Sequence, residues 1–188
     1  MSKGLKIGII IGVIVLVLGI FIGGTYNSLV SVREDVNSKY SDISVQLERR
    51  ADLIPNLVNS VKGYVKHEQD IIDSVTKARE KLVNANGVLE EASANEELTN
   101  ALNNLFVVVE NYPDLKSNTN FIQLQDELAG TENRIAVART NYNDVVKEYN
   151  KSIKMFPKNI FANMMGFEER EYFEAKETSL EVPDVSFE

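Results

Sequence analysis

The chain opens with a long apolar run. From Ile7 to Gly24 every residue is either aliphatic, phenylalanine or glycine. As a helix these residues would extend about 27 Å, close to the ~30 Å hydrocarbon core of a bilayer. Lys3 and Lys6 precede the run, so the positive-inside rule places the N-terminus in the cytoplasm and the remainder outside. We therefore predict a short cytoplasmic N-terminus and a transmembrane helix over residues 1–24, with a cleaved signal peptide as the alternative.

Small residues recur on one face of this predicted membrane helix. Gly4, Gly8 and Gly12 are spaced four apart. Such spacing lets two membrane helices approach closely. Glycine is also common in membrane helices generally, so a helix-packing role for these three positions is an expectation only.

Beyond residue 24 the apolar positions recur at steps of three and four, which predicts helices. The pattern indicates an all-α bundle over 25–158, with helices at about 26–51, 53–84, 93–112 and 119–156. The first boundary is set by Pro55, which lacks an N–H and clashes with the carbonyl of Ala51; a single kinked helix is the alternative. Asn84–Gly87 predicts a helix stop, and Ser93–Glu96 resembles a capping box that would begin the third helix.

The fourth helix carries the clearest heptad pattern, which predicts a seam packed against neighbouring helices. Its positions are Phe121, Leu124, Leu128, Thr131, Ile135, Ala138, Tyr142, Val145, Tyr149, Ser152 and Phe156. Gly130 lies inside this helix, where a close backbone contact would explain it. Residues 159–188 form an acidic tail, with a short helix predicted at 159–165 and an extended end at 179–187.

Composition excludes several kinds of chemistry. The formal net charge of −8 argues against nucleic-acid binding, and the absence of cysteine excludes disulfides, thiol catalysis and Cys-ligated metals. His67 is the single histidine, so no two-histidine metal site can form within one chain. No nucleotide-binding or nucleophile motif is present. We therefore predict no catalytic residues, no metal and no cofactor, and we interpret Arg49 and Arg50 as helix-capping, ion-pairing residues.

Several sequence blocks resemble the LemA family of bacterial single-pass membrane proteins. They are residues 49–58, 110–116, 131–136 and 142–150, together with Phe156-Pro157 and the ending at 182–187. The resemblance implies a long antiparallel four-helix bundle and no established enzymatic activity. The positions that carry it, with no role assigned, include Arg50, Asp52, Pro55, Asn56, Tyr112, Pro113, Asn133, Arg134, Arg139, Tyr142 and Asn143.

The favoured functional hypothesis is a non-enzymatic scaffold or adaptor at the cell envelope, with the bundle on the extracytoplasmic side. Its expected partners are the membrane and other membrane or envelope proteins, with a homo-oligomer as an open possibility and no nucleic acid. The alternative is a sensor that binds a small molecule or peptide between helices. That sensor would use Tyr40, Tyr64, Tyr142 or Tyr149 as polar-tipped pocket walls.

Overall fold

The computed structural model describes residues 2–65 and 68–174, which form helices and contain no β-strand. The helices in chain order are α1 (Lys3–Lys62), α2 (Gln69–Asn84), α3 (Val88–Val109), α4 (Pro113–Lys116), α5 (Thr119–Lys154) and α6 (Lys158–Met164). The predicted all-α fold, with an apolar N-terminal helix and a helical bundle, is confirmed. The predicted extended end at 179–187 lies outside the described residues.

The chain divides into two compact units. One, which we call the anchor unit, comprises residues up to Lys39 together with Asn141–Arg170. The other, the bundle unit, comprises Tyr40–Thr140 and, of the described residues that follow Arg170, residues 171–174. Both α1 and α5 contribute residues to each unit.

The predicted helix break at Pro55 is wrong, because α1 continues through this residue to Lys62. A proline inside a helix leaves the carbonyl four residues earlier without its usual N–H donor. Here that carbonyl belongs to Ala51, which is buried, and it accepts a hydrogen bond of 2.8 Å from Nε of Arg79 on α2. A side chain from the neighbouring helix thus replaces the backbone bond that Pro55 removes, and the chain turns only after Lys62.

The start of α3 also differs from its predicted position. The helix begins at Val88, directly after Gly87, whose φ of 89° favours glycine. The predicted capping box at Ser93–Glu96 therefore lies inside the helix, and Asn95 within it is buried. A side-chain cap is found at the start of a different helix, α5. There Oδ1 of Asn118 accepts hydrogen bonds from the backbone N–H groups of Asn120 (2.9 Å) and Phe121 (3.2 Å).

The bundle unit packs segments of α1, α2, α3 and α5 around one apolar core. On α1 a buried seam runs through Ile43, Leu47, Arg50, Ile54, Leu57 and Val61 at alternating steps of four and three, and Ala51 and Val58 are buried beside it. Polar contacts show that α1 and α5 are antiparallel, because residues later in α1 meet residues earlier in α5. Within the helices these contacts are Gln46–Arg134 and Arg49–Glu127. Tyr64, just after α1, likewise meets Asn118, just before α5.

In the anchor unit, burial along α1 begins at Thr25 and Leu29, whereas residues 3–21 are exposed throughout. α1 contains the one candidate membrane span of the described residues, judged by length and composition. On α5 the buried positions run Tyr142, Val146, Tyr149 and Ile153. The predicted seam is therefore confirmed at Tyr149 but wrong at three positions: Val146 and Ile153 are buried in place of Val145 and Ser152, and Phe156 is exposed.

The replacement hydrogen bond at Pro55 can be tested by substitution. Arg79→Met keeps the packing stem but removes the donor, so it should lower the free energy of unfolding by about 1–3 kcal/mol. In a Pro55→Ala background residue 55 regains an N–H for Ala51, and the same change should cost about 1 kcal/mol less. Denaturant unfolding of the four proteins, followed by circular dichroism, measures this coupling. Equal costs in both backgrounds would show that Arg79 does not compensate for Pro55.

Candidate functional site

A charged side chain occupies the core of the bundle unit. Arg50 lies on the buried seam of α1 and is only 3% exposed. Its Nη1 donates to Oδ1 of Asn95 on α3 at 2.5 Å and pairs with Oε2 of Glu132 on α5 at 2.5 Å. The guanidinium therefore links three helices at one level. The interpretation of Arg50 as a helix-terminal cap is wrong, because it sits in mid-helix, whereas its predicted ion pairing is found.

The electrostatics of this Arg50 cluster follow from its burial. Burial lowers the pKa of Arg50, and the charge of the Glu132 carboxylate opposes that shift. Arginine nevertheless stays protonated, so the core contains a permanent positive charge that must be compensated. The Nε of Arg50 has no hydrogen-bond partner within the described part of the chain. The cluster can fix the positions of the three helices relative to one another.

A second polar contact joins α1 to the first turn of α3. The Tyr40 hydroxyl donates to Oε1 of Glu91 at 2.8 Å, and the Ser44 hydroxyl lies 3.5 Å from the other carboxylate oxygen. Partial burial raises the pKa of Glu91, while these two hydrogen bonds lower it, and the net shift is upward.

A small pocket adjoins the Arg50 cluster between α3 and α5. Its volume is about 300 Å³, and Asn95 and Glu132 form part of its wall. Arg139 and Glu96 contribute charged groups of opposite sign, and the buried ring of Phe173 closes one side. The pocket can hold a small polar molecule.

A larger feature of the bundle unit is an open groove of about 870 Å³ along α1 and α5, which we call the α1–α5 groove. Its lining is polar or charged, except for Leu124 and Gly130. The lining residues are Arg49, Asn56, Asn59, Ser60, Asn120, Gln123, Leu124, Asp126, Glu127, Gly130 and Arg134.

Ion pairing and glycine both shape the α1–α5 groove. Arg49 pairs with Glu127 at 3.1 Å across it, and Nε of Arg134 donates to Oε1 of Gln46 at 3.2 Å. At Gly130 an added Cβ would come within 3.5 Å of the Arg134 guanidinium, which is ordinary contact. The close backbone contact suggested for Gly130 is therefore not found.

The remaining motif positions are spread over the chain. Asp52, Pro55, Asn56 and Asn133 are exposed, and Tyr112 and Pro113 form the turn into α4. Tyr142 and Asn143 belong to the anchor unit, where Tyr142 is buried. Gly4, Gly8 and Gly12 are exposed with nothing within 4 Å of an added Cβ, so their helix-packing role stays a prediction.

Sequence reasoning missed Asn95 and Glu132 as partners of Arg50. Asn95 was assigned to a cap, and Glu132 was grouped with the motif without a role. A signal was available for Arg50 itself, because the steps of α1 run 43, 47, 50, 54, 57 and 61 and place it on the seam.

The tyrosines proposed as walls of a sensor pocket lie in different parts of the structure. Tyr142 and Tyr149 are each 1% exposed and belong to the core of the anchor unit. Tyr64 is exposed and accepts a hydrogen bond of 2.9 Å from Nδ2 of Asn118. Within residues 2–65 and 68–174 no group of three or more acidic or histidine side chains could hold a metal, and His67 lies outside these residues.

The span candidate and the bundle define a membrane-associated helical-bundle protein. The LemA family profile matches residues 39–187, so the chain belongs to the LemA family. The match begins after the apolar segment, at the start of the bundle unit.

Individual relatives agree with this assignment. Magnetosome protein MamQ 2 of Paramagnetospirillum magneticum is 30% identical over 177 residues, covering 80% of this chain and 65% of that protein. Magnetosome protein MamQ of Magnetospirillum gryphiswaldense is 28% identical over 177 residues, with the same coverage. Protein LemA of Metamycoplasma hominis is 28% identical over 170 residues, covering 87% of this chain and 76% of the relative. The chain thus spans about 65% of the MamQ proteins.

Removing the buried charge should be costly. Arg50→Met leaves Glu132 and Asn95 without their partner and is expected to reduce the free energy of unfolding by about 3–5 kcal/mol. Arg49→Met breaks only the exposed pair with Glu127 and should cost no more than about 1 kcal/mol. Urea unfolding of the detergent-solubilised chain measures both. A cost at Arg50 no greater than that at Arg49 would contradict a compensating role for the cluster.

The raised pKa of Glu91 predicts a pH dependence of stability. Its folded-state pKa lies above its unfolded value, so the folded state binds the proton more tightly. The contribution of Glu91 to stability is therefore fully present below the unfolded pKa and is lost as pH rises through the folded pKa. Glu91→Gln removes this titration, so the stability of wild type relative to this variant should fall from pH 4 to pH 7. A constant or rising difference in urea unfolding would refute the upward shift.

Proposed function

We propose that this protein is a non-enzymatic scaffold or adaptor of the LemA type, anchored by one membrane helix and acting through contacts with other membrane or envelope proteins. The observation that carries the proposal is the α1–α5 groove. It is open along two helices, it has a polar lining, and it includes the motif residues Asn56 and Arg134.

The chemistry of the groove suits a protein partner. The amides of Asn56, Asn59, Asn120 and Gln123 can each donate and accept hydrogen bonds, as a partner's backbone and polar side chains require. Arg49 and Arg134 lie among Asp126 and Glu127, so charges of both signs can select a complementary surface. The small-molecule pockets of proteins are more enclosed and more apolar than this groove.

The names of the relatives are consistent with the proposed role. MamQ proteins are named for the magnetosome, and none of the three names specifies a reaction. From this similarity and the apolar N-terminal helix we infer that this chain serves a membrane-associated assembly.

We further propose that the bundle lies on the extracytoplasmic side. Lys3 and Lys6 precede the apolar run, whereas Arg33 is followed directly by Glu34 and Asp35. The positive excess is therefore on the N-terminal side, which the positive-inside rule assigns to the cytoplasm.

Site-specific photocrosslinking in intact bacterial cells tests the adaptor proposal. A photoreactive residue at Asn59 or Gln123 should give adducts with one common protein, because both positions line the α1–α5 groove. The matched control is the polar groove between α2 and α3, of about 550 Å³, with the same residue placed at Ser74 or Asn104. Those positions should give no such adduct, and Asn59→Arg should abolish the adduct formed from Gln123.

Experiments in the same cells also test on which side of the membrane the bundle lies, and they separate the adaptor from the alternative hypotheses. Because the chain has no cysteine, Asn104→Cys can be labelled uniquely, and a membrane-impermeant maleimide should modify it without lysis. An adduct with a second copy of the chain would identify a homo-oligomer as the bound state. Equal adducts from both grooves, or none from either, would overturn the adaptor proposal. The ligand sensor, with the pocket beside Arg50 as its site, would then be the better hypothesis.

A further inference from the structure

The turn that follows α5, together with α6, presents apolar side chains that the described residues of the anchor unit leave exposed. Phe156 is 80% exposed and Met164 is 79% exposed. Met155 and Ile160 are also exposed, and we call these four side chains the interfacial patch. Met155 and Phe156 line one cavity, and Ile160 and Met164 are four residues apart on α6, so they lie on one helix face. Large exposed apolar groups that are neighbours in this way mark a contact with another molecule or with a membrane.

Two contacts with α1 fix the level of α6 relative to the apolar run that ends at Gly24. The Phe161 ring meets the Phe21 ring edge-on, with centroids 5.8 Å apart. Lys158 Nζ lies 3.4 Å from the Ser28 hydroxyl. At about 1.5 Å per residue, Phe21 is roughly 4.5 Å inside the end of the run and Ser28 roughly 6 Å outside it. α6 therefore lies level with the end of the apolar run.

The chain then returns from this level. The Phe167 ring meets Tyr26 with centroids 6.0 Å apart, and the Arg33 guanidinium lies 5.2 Å from the centre of the same ring. Along the chain, Lys158 thus contacts α1 at Ser28 and Phe161 contacts it at Phe21. Phe167 then contacts it further along, at Tyr26 and Arg33. Met164 lies between Phe161 and Phe167 in sequence, so it belongs to the part of the chain nearest the apolar run.

The charge around the patch is opposite to that of the chain as a whole. Residues 147–158 contain four lysines and one glutamate, a local balance of +3, whereas the chain has a net charge of −8. Lys154 pairs with Glu169 at 2.7 Å, and Lys151 and Lys158 adjoin Phe156 in one cavity of about 320 Å³. Lysine stems cover apolar surface while their heads reach outward, which suits anionic lipid headgroups.

We propose that the corner formed by the end of α5 and α6 is a second membrane contact. The interfacial patch enters the boundary zone of an anionic bilayer, and Lys151, Lys154 and Lys158 lie among its phosphates. The inference rests on the membrane anchor and is independent of the adaptor role. It makes this corner a monotopic element that holds the base of α5 against the surface that α1 crosses.

Depth measurements on the full chain test the proposal. Single cysteines can be introduced at Met164, at Val107 and at Leu16, since the natural chain has none. A spin label at Met164→Cys should be more accessible to oxygen than to a water-soluble nickel complex when the protein is reconstituted in equimolar phosphatidylcholine and phosphatidylglycerol. Val107→Cys, an exposed apolar position of the bundle unit, should show the reverse.

The outcomes separate failure of the proposal from failure of the anchor. If the label at Leu16→Cys lies in hydrocarbon while that at Met164→Cys behaves like that at Val107→Cys, the second contact does not exist. If all three labels are aqueous, the membrane anchor itself is wrong and the proposal falls with it.

A charge variant tests the lipid class. In wild type an environment-sensitive dye at Phe156→Cys should shift to shorter wavelength when phosphatidylglycerol is added to phosphatidylcholine vesicles. The combined change of Lys151, Lys154 and Lys158 to Gln should abolish that shift, whereas Lys77→Gln with Lys81→Gln on α2 should leave it intact. A shift that survives the triple change would overturn the role of these lysines.

Discussion

The permanent charge of Arg50 is the constraint on which the bundle depends. A guanidinium cannot be neutralised by losing a proton at accessible pH, so a buried one requires a compensating charge and hydrogen-bond acceptors. α5 supplies the Glu132 carboxylate and α3 supplies the Asn95 amide, each at 2.5 Å. Helices packed through leucine alone can shift along one another at little cost, whereas a shift would separate Arg50 from Glu132 and Asn95. The cluster therefore restricts how the three helices can be aligned. The same register brings the walls of the groove and of the small pocket together.

The neighbourhood of Pro55 shows a second compensation on the same helix. α1 accepts an interior proline because Arg79 of α2 donates to the carbonyl of Ala51. Continuity through this point keeps Asn56, Asn59 and Ser60 on one helix with Arg49, and all four line the α1–α5 groove. A break at Pro55 would have divided that surface. Arg50 and Arg79 thus allow α1 to supply residues both to the core of the bundle unit and to the α1–α5 groove.

The surfaces of the molecule differ in chemistry. The α1–α5 groove presents amides and charges of both signs, as expected of a surface that recognises another protein. The corner of α5 and α6 presents methionine, phenylalanine and lysine, as expected of a surface that meets lipid. The two surfaces therefore correspond to the two proposed contacts of this LemA-family chain, one with a protein partner and one with lipid.

Short stretches of sequence are enough to predict much of the architecture. The apolar run at 7–24, the helical spacing and the lack of cysteine determine a membrane segment, an all-α fold and the absence of thiol chemistry, because each depends on residue type and short-range period. The role of Pro55 and the partners of Arg50 did not follow from the sequence. Each depends on a side chain far along the chain: Arg79 is 28 residues from Ala51, and Asn95 is 45 residues from Arg50. Periodicity predicts which face of a helix is buried. Only the packing of the helices decides which distant side chain donates to the Ala51 carbonyl and which groups compensate the buried charge of Arg50. Tertiary structure therefore decided where the helices end, what compensates Arg50 and which residues share a surface.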